Sequence, residues 1–162
     1  MSDGDSCRLK YFEGEPEVLA EVRQMWDEIF DDPEEFADYY FTEICKQNKI
    51  LLAYKGDVLA GMIHLNPYEM QVEGKKELCY YIVGVAVKPE YREQGIMHKM
   101  MQRVLADMKK DGRAFTFLMP EREEYYESLG FEKVFHTLEL DIDIAELEDE
   151  DEETEEDPKY EY

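Results

Sequence analysis

Residues 85–101 read VAVKPEYREQGIMHKMM, and they carry the clearest chemistry in the chain. An apolar run, a proline-containing loop and a glycine at the mouth of a helix make a natural anion site. The first amides of a helix have no intrahelical partners, and the helix dipole leaves partial positive charge beside them. Gly95 lets the backbone approach a phosphate with no Cβ in between. Arg92 can add charge-assisted hydrogen bonds to the same anion. The bland alternative is that Gly95 only starts a helix and that Arg92 is solvated. An isolated RxxG does not decide between the two.

Charge adds to the case. Residues 88–113 hold seven basic and four acidic side chains, a local balance of +3. The chain as a whole has 18 Lys and Arg against 41 Asp and Glu over 162 residues, a net charge of −23. That balance argues against nucleic-acid binding, which needs basic surface to displace counterions, and against docking on anionic membranes. No run of 18 apolar residues is present, so no membrane-spanning helix is expected. The opening MSDGDSCRLK lacks the apolar stretch of a signal peptide. Cys7, Cys45 and Cys79 have no CxxC spacing, which predicts a reducing cytoplasm without disulfides. His64, His98 and His136 show no ligand spacing, so no metal site is expected.

The elements that must position this segment follow from periodicity. Residues 8–12 suit a first strand. Val18, Val22, Met25, Trp26, Ile29 and Phe30 recur every three or four residues and predict an amphipathic helix over 17–30. Asp32 as cap, Pro33 at the first helical position and Glu35 three after the cap predict a second helix, with Phe36, Tyr40 and Ile44 on its buried face. Strands are expected over 49–54 and 58–65, with 68–72 extending the second beyond Pro67, and over 78–87, an apolar run suited to a central strand. A helix over 96–110, a strand over 114–119, a short helix over 121–129 closed by Gly130, and a last strand over 131–144 complete the order. Within that last strand the apolar register shifts near Phe135 and His136. Residues 141–157 hold twelve acidic and no basic side chains, so 146–162 is expected to be a disordered, solubilising tail behind a domain spanning 1–145.

Two signatures together resemble the GCN5-related N-acetyltransferase (GNAT) superfamily. Val87, Pro89, Tyr91, Arg92, Gly95, Ile96 and Met97 match its coenzyme-A motif, with Met97 where the family usually has Gly or Ala. Tyr125, Tyr126, Gly130 and Phe131 match its aromatic-Tyr-x3-Gly-Phe motif. The segments MWDEIFDDPEEFADYYF and DGRAFTFLMP resemble its enhanced-intracellular-survival branch. The resemblance spans nearly all of residues 8–135. It implies an α/β GNAT fold, a mixed twisted sheet of six or seven strands flanked by about four helices.

The resemblance also implies acetyl-CoA as cosubstrate. The backbone of Val85, Ala86 and Val87 would pair with the pantetheine arm. The loop of Arg92, Glu93, Gln94, Gly95, Ile96 and Met97 would hold the pyrophosphate, and Tyr126 would be the general acid for the departing thiolate. The expected reaction is N-acetylation of a primary amine, on a small molecule or peptide, by direct attack. The alternative is a silent CoA-binding or regulatory module. Trp26, Phe30, Tyr39, Tyr40 and Tyr81 are candidates for the acceptor wall. The family's usual strand-four base falls near Tyr81, where no acid stands, and Glu69 is the nearest carboxylate that could act through water. An open edge on the last strand would favour a homodimer through 131–144.

Overall fold

A computed structural model describes residues 6–134. They form β1 (Cys7–Tyr11), α1 (Pro16–Ile29), α2 (Glu34–Tyr39), β2 (Lys49–Lys55), β3 (Val58–Val72), β4 (Lys75–Val87), α3 (Ile96–Lys110), β5 (Thr116–Leu118) and α4 (Glu124–Glu127). One sheet runs in the order β1-β2-β3-β4-β5, antiparallel throughout except for the parallel β4–β5 pair. The expected mixed sheet is present, with five strands among the described residues instead of six or seven. Residues 131–134 form no strand. The remainder of the strand expected over 131–144, its register shift, the self-association through its edge and the tail over 146–162 lie outside the described residues. Contacts divide the chain into two compact units, Met1–Phe131 and Glu132–Tyr162, and the first carries the elements above.

Both hairpin turns have two residues. Gly56 starts the first at φ +58°, and Glu73 and Gly74 form the second at φ +48° and +78°, the left-handed pair that matches strand twist. Strand β3 passes straight through Pro67, which pairs with Tyr80. The pairing of β2 stops at Leu65, so Pro67 costs no ladder bond on that side.

Alternation along the strands sends side chains to two faces. Ile50, Leu52, Met62 and Ala86 join Val22, Met25 and Trp26 of α1 and Ala37 of α2. Leu51, Ala53, Ile63, Leu65 and Ile82 join Ile96, Met100, Met101 and Val104 of α3. Each fully buried aliphatic or methionine side chain contributes roughly 1.5–3 kcal/mol.

The second helix departs from its sequence pattern. Pro33 is its N-cap, and Asp32 instead accepts a hydrogen bond from Trp26 Nε1 at 3.0 Å. The chain then widens into a π-type turn over Tyr40–Ile44, with the Cys45 amide bonded to the Tyr40 carbonyl. An i→i+5 turn shifts the helical phase. Ala37, Tyr40, Phe41 and Cys45 are therefore buried, while Phe36 is 48% exposed.

Candidate active site

The site begins with an extra residue in β4. Met62 pairs with Ala86, but His64 pairs with Val83, so Gly84 and Val85 oppose Ile63 alone. Gly84 sits at φ +60°, and a Cβ there would lie 2.5 Å from the Trp26 ring. This bulge bends β4 away from β5. The last β4–β5 pair is Ile82 with Leu118. Beyond it, among the described residues, the strand over 83–87 is paired only with β3.

The open edge has defined polarity. The Lys88 amide bonds to the Ala60 carbonyl at 2.9 Å, which turns even-numbered peptide groups here towards β3. Ala86 therefore faces β3. Alternation leaves the peptide groups of Val85 and Val87 on the open side. The Val87 carbonyl accepts a hydrogen bond from Arg92 Nε at 3.0 Å.

The loop from β4 then delivers the chain to α3. Pro89–Tyr91 form a single 3₁₀ turn, Glu93 takes φ +60°, and Gly95 caps the helix at φ +71°. A left-handed conformation costs a non-glycine residue roughly 1–2 kcal/mol, a strain this loop bears at Glu93. Among the described residues, no side chain caps α3. The first helical bond is Lys99 N–H to the Gly95 carbonyl at 3.0 Å. The amides of Gly95, Ile96, Met97 and His98 consequently lack intrahelical acceptors. A Cβ at Gly95 would meet nothing within 4 Å, so the approach to these amides is open. Met97 lies against the α3-side core.

A cleft of about 410 Å³ adjoins this terminus, lined by Ser6, Cys7, Lys55, Gln94, Gly95 and Lys99 among others. Lys99 Nζ donates to the Cys7 carbonyl at 2.7 Å. Lys55, at the end of β2, brings a second cation to the helix terminus. Sequence spacing gave no sign of it, because the fold supplies this proximity across forty positions.

Tyr126 lies on α4, which is one turn long instead of spanning 121–129. Its ring packs edge-on to Phe131 at 5.8 Å and against the α3-side core. Burial raises its pKa above the usual 10, with a further push from Glu121, so the phenol keeps its proton at neutral pH. Tyr125, one residue earlier, is 52% exposed.

The model of the acetyltransferase (GNAT) domain matches residues 13–134. The chain belongs to the GNAT acetyltransferase family. Its fold is shared with solved structures at low sequence identity. A protein of Enterococcus faecalis V583 described as a probable N-acyltransferase has TM-score 0.71 and 22% identity. The match covers 78% of this chain but 32% of that one, so this GNAT chain spans about a third of its length. A predicted acetyltransferase of Clostridium acetobutylicum, solved with acetyl-CoA, has TM-score 0.64 and 17% identity over 84% of this chain and 96% of that one. A GNAT acetyltransferase of Brucella melitensis, also solved with acetyl-CoA, has TM-score 0.62 and 20% identity over 78% and 84%. No protein of curated function matches the sequence.

The opposite face of this GNAT domain, under α1 and α2, is aromatic and polar. Trp26 and Tyr40 are core residues, 3% and 4% exposed, and do not line an open wall. Tyr81 does lie open in part. It stacks on Phe117 at 5.1 Å, and Tyr68 meets both rings edge-on at 6.1 and 5.7 Å. Glu69 points to the α3 side of β3 and pairs with Lys76 at 2.6 Å. Cys45 lies 3.8 Å from His64 Nδ1, but burial pushes its thiol up to about 12, which leaves no thiolate to act as a nucleophile. Cys79 is 2% exposed, the core residue its apolar setting predicts. Among the described residues no three His, Cys, Asp or Glu side chains cluster as a metal site requires, and no helix is long and apolar enough to cross a membrane.

Proposed function

We propose that this GNAT domain moves an acetyl group from acetyl-CoA to a primary amine by direct attack. One observation carries the reading: the edge of β4 beyond Ile82, which no described strand pairs, runs directly into the N-terminus of α3, which no described side chain caps. An extended amide-bearing arm fits the first and a pyrophosphate fits the second. Val85 and Val87 pair with the pantetheine amides, with Arg92 released from the Val87 carbonyl to the phosphates. Ala86 contributes by holding β4 to β3. The amides from Gly95 to His98 hold the pyrophosphate, with Glu93 and Gln94 shaping the loop and Ile96 anchoring the helix in the core.

The amine nitrogen attacks the thioester carbon, a C–N bond forms and the C–S bond breaks. Tyr126 gives its proton to the departing sulfur and recovers one from solvent. The proton shed by the nitrogen passes to water. Orientation and help for the leaving group supply the acceleration, and no protein nucleophile is needed.

Calorimetric titration of CoA into wild type and Gly95→Asp tests the site. The new carboxylate repels the pyrophosphate, and affinity should fall by about tenfold or more, a loss of ~1.4 kcal/mol. Equal affinities would remove the site. A protein that binds CoA yet acetylates no amine is the regulatory module instead.

A further inference from the structure

The indole of Trp26, 3% exposed, spans from the α1–α2 connection to the bulge in β4. At one end Nε1 donates to Asp32 Oδ2 at 3.0 Å. At the other end the six-membered ring lies against Gly84, where a Cβ would stand 2.5 Å from Cζ3 and 3.3 Å from Cε3. Neighbouring rings hold its plane. Tyr40 stacks on it at 4.8 Å, Phe30 tilts against it at 4.7 Å, and Phe41 and His64 meet it edge-on at 5.6 and 5.3 Å. Flat rings restrain tilt better than sliding within the plane. The directional bond to Asp32 restrains that sliding.

Asp32 serves the indole at the expense of the helix beside it. It stands directly before Pro33, the N-cap of α2, and among the described residues no side chain caps that helix. A carboxylate at such a place ordinarily accepts from the first turn. Here it satisfies a buried N–H instead, a donor that is costly to leave unpaired.

The far end of the indole bears on the cofactor edge. Gly84 begins the irregularity that sets Met62 opposite Ala86 but His64 opposite Val83. With the bulge in place, the Lys88 amide reaches the Ala60 carbonyl and the peptide groups of Val85 and Val87 face the open side. Without it, residues 85–88 move by one position against β3, and those same peptide groups turn inwards. An indole that slides back leaves a void beneath Gly84, and a close-packed interior removes a void by moving the backbone that lines it.

Resting on the cofactor side of the reading above, we infer that Asp32 is a positioning residue for acetyl-CoA: through the indole of Trp26 it holds β4 in the bulged register whose open peptide groups receive the pantetheine arm. Asp32 lies between the two helices that pack on the face of the sheet opposite α3, so it acts at a distance. Its effect runs from the carboxylate to the indole N–H, through the ring to Gly84, and from the bulge to Val85 and Val87.

Asp32 is exposed, so its variants leave the core filled. Calorimetry of CoA with the full chain compares wild type, Asp32→Ala, Asp32→Asn and Asp31→Ala. Asp32→Ala should weaken CoA by about fivefold or more. Asparagine keeps a carbonyl acceptor, so Asp32→Asn should stay within about twofold of wild type. Asp31→Ala removes the same charge one residue earlier and should also stay within about twofold. The sign separates the effect from simple electrostatics, because losing a carboxylate from a chain of net charge −23 favours an anionic ligand. A second readout needs no ligand. Exchange of the Lys88 amide should quicken by about fivefold or more in Asp32→Ala and match wild type in Asp32→Asn, while the amides of β2 keep their rates. Asp32→Ala that lowers the urea midpoint yet binds CoA like wild type, with Lys88 exchange unchanged, overturns the inference and makes the bond purely structural. Equal losses in Asp32→Ala and Asp32→Asn overturn it too, since they assign the effect to charge. Wild type that binds no CoA, with Lys88 exchange responding as expected, fails the cofactor reading alone. Wild type and both Asp32 variants binding CoA equally fails this inference alone.

Discussion

The two faces of the sheet solve different problems with different residues. Under α3 the core is aliphatic and methionine-rich, and the layer above it is cationic. Under α1 and α2 the core holds Trp26, Tyr40, Phe41, Cys45 and His64, with a buried hydrogen-bond network and a carboxylate-rich exterior. The sheet is one layer thick, yet it separates a layer of net positive charge from a layer rich in carboxylates. At about 0.15 M salt the Debye length is roughly 8 Å, so each ligand responds chiefly to the charges of its own side. A protein of net charge −23 can therefore still present an anion site.

The sharpest way to break this division is at Tyr126, which belongs to the α3 side. Tyr126→Phe should lower kcat by roughly 10²–10⁴, or somewhat less where water substitutes, and leave CoA affinity nearly unchanged. Tyr125→Phe should turn over like wild type. Equal kcat for all three on a confirmed acceptor would remove the acid role.

Next in size is the bulge that joins the faces. Gly84→Ala places a methyl at φ +60° and against Trp26. The strained backbone and overpacking together should cost about 2–4 kcal/mol in urea unfolding and weaken CoA binding. A loss below about 1 kcal/mol would show that Trp26 yields and does not hold the bulge.

A third effect, spread over several pH units, sits on the aromatic side alone. Burial lowers the His64 pKa from 6.5 to about 3. The unfolded chain takes up a proton that the folded chain refuses, so the stability His64 contributes is complete above pH 6.5 and is lost as pH falls towards 3. The slope is about 1.4 kcal/mol per pH unit within that window. The stability difference between wild type and His64→Gln, followed by denaturant midpoints, should shrink accordingly. A difference constant from pH 7 to pH 4 would contradict a neutral, buried imidazole.

The smallest effect tests whether charge acts by face or in total. Deleting residues 146–162 removes a net charge of −10. The affinity for CoA should change by less than about twofold. A larger gain would mean that overall charge, and not the local balance of residues 88–113, governs the anion site.

Much of the cofactor side was legible because its determinants are local. The apolar run of β4, the Pro89 loop, Gly95 and the helix after it lie within one continuous segment, and each residue constrains its neighbours. The bulge was not legible. Gly84 inside LCYYIVGVAV reads as an ordinary strand position, and its need for a missing side chain is set by Trp26, far upstream. Asp32 looked like a cap because its neighbours fit a capping box, but the indole N–H competes for the same carboxylate. Phe36, Tyr40 and Ile44 follow an α-helical spacing that the π-type turn breaks. The pairing of Tyr81 with Phe117, and the arrival of Lys55 beside α3, depend on strand register, which no local window contains.

Strand order in this sheet equals chain order. From β2 to β4 each strand folds back on its predecessor through a two-residue turn, so those pairings close short loops and form early in time. β1 and β5 must wait, because α1 and α2 separate β1 from β2 and α3 separates β4 from β5. As the polypeptide leaves the ribosome, the core under α1 and α2 can assemble from residues 16–87 before α3 has emerged. The chain would then acquire the half under α1 and α2 first and the α3 half last, and a pause before α3 emerges would leave a partly folded, CoA-incompetent meander.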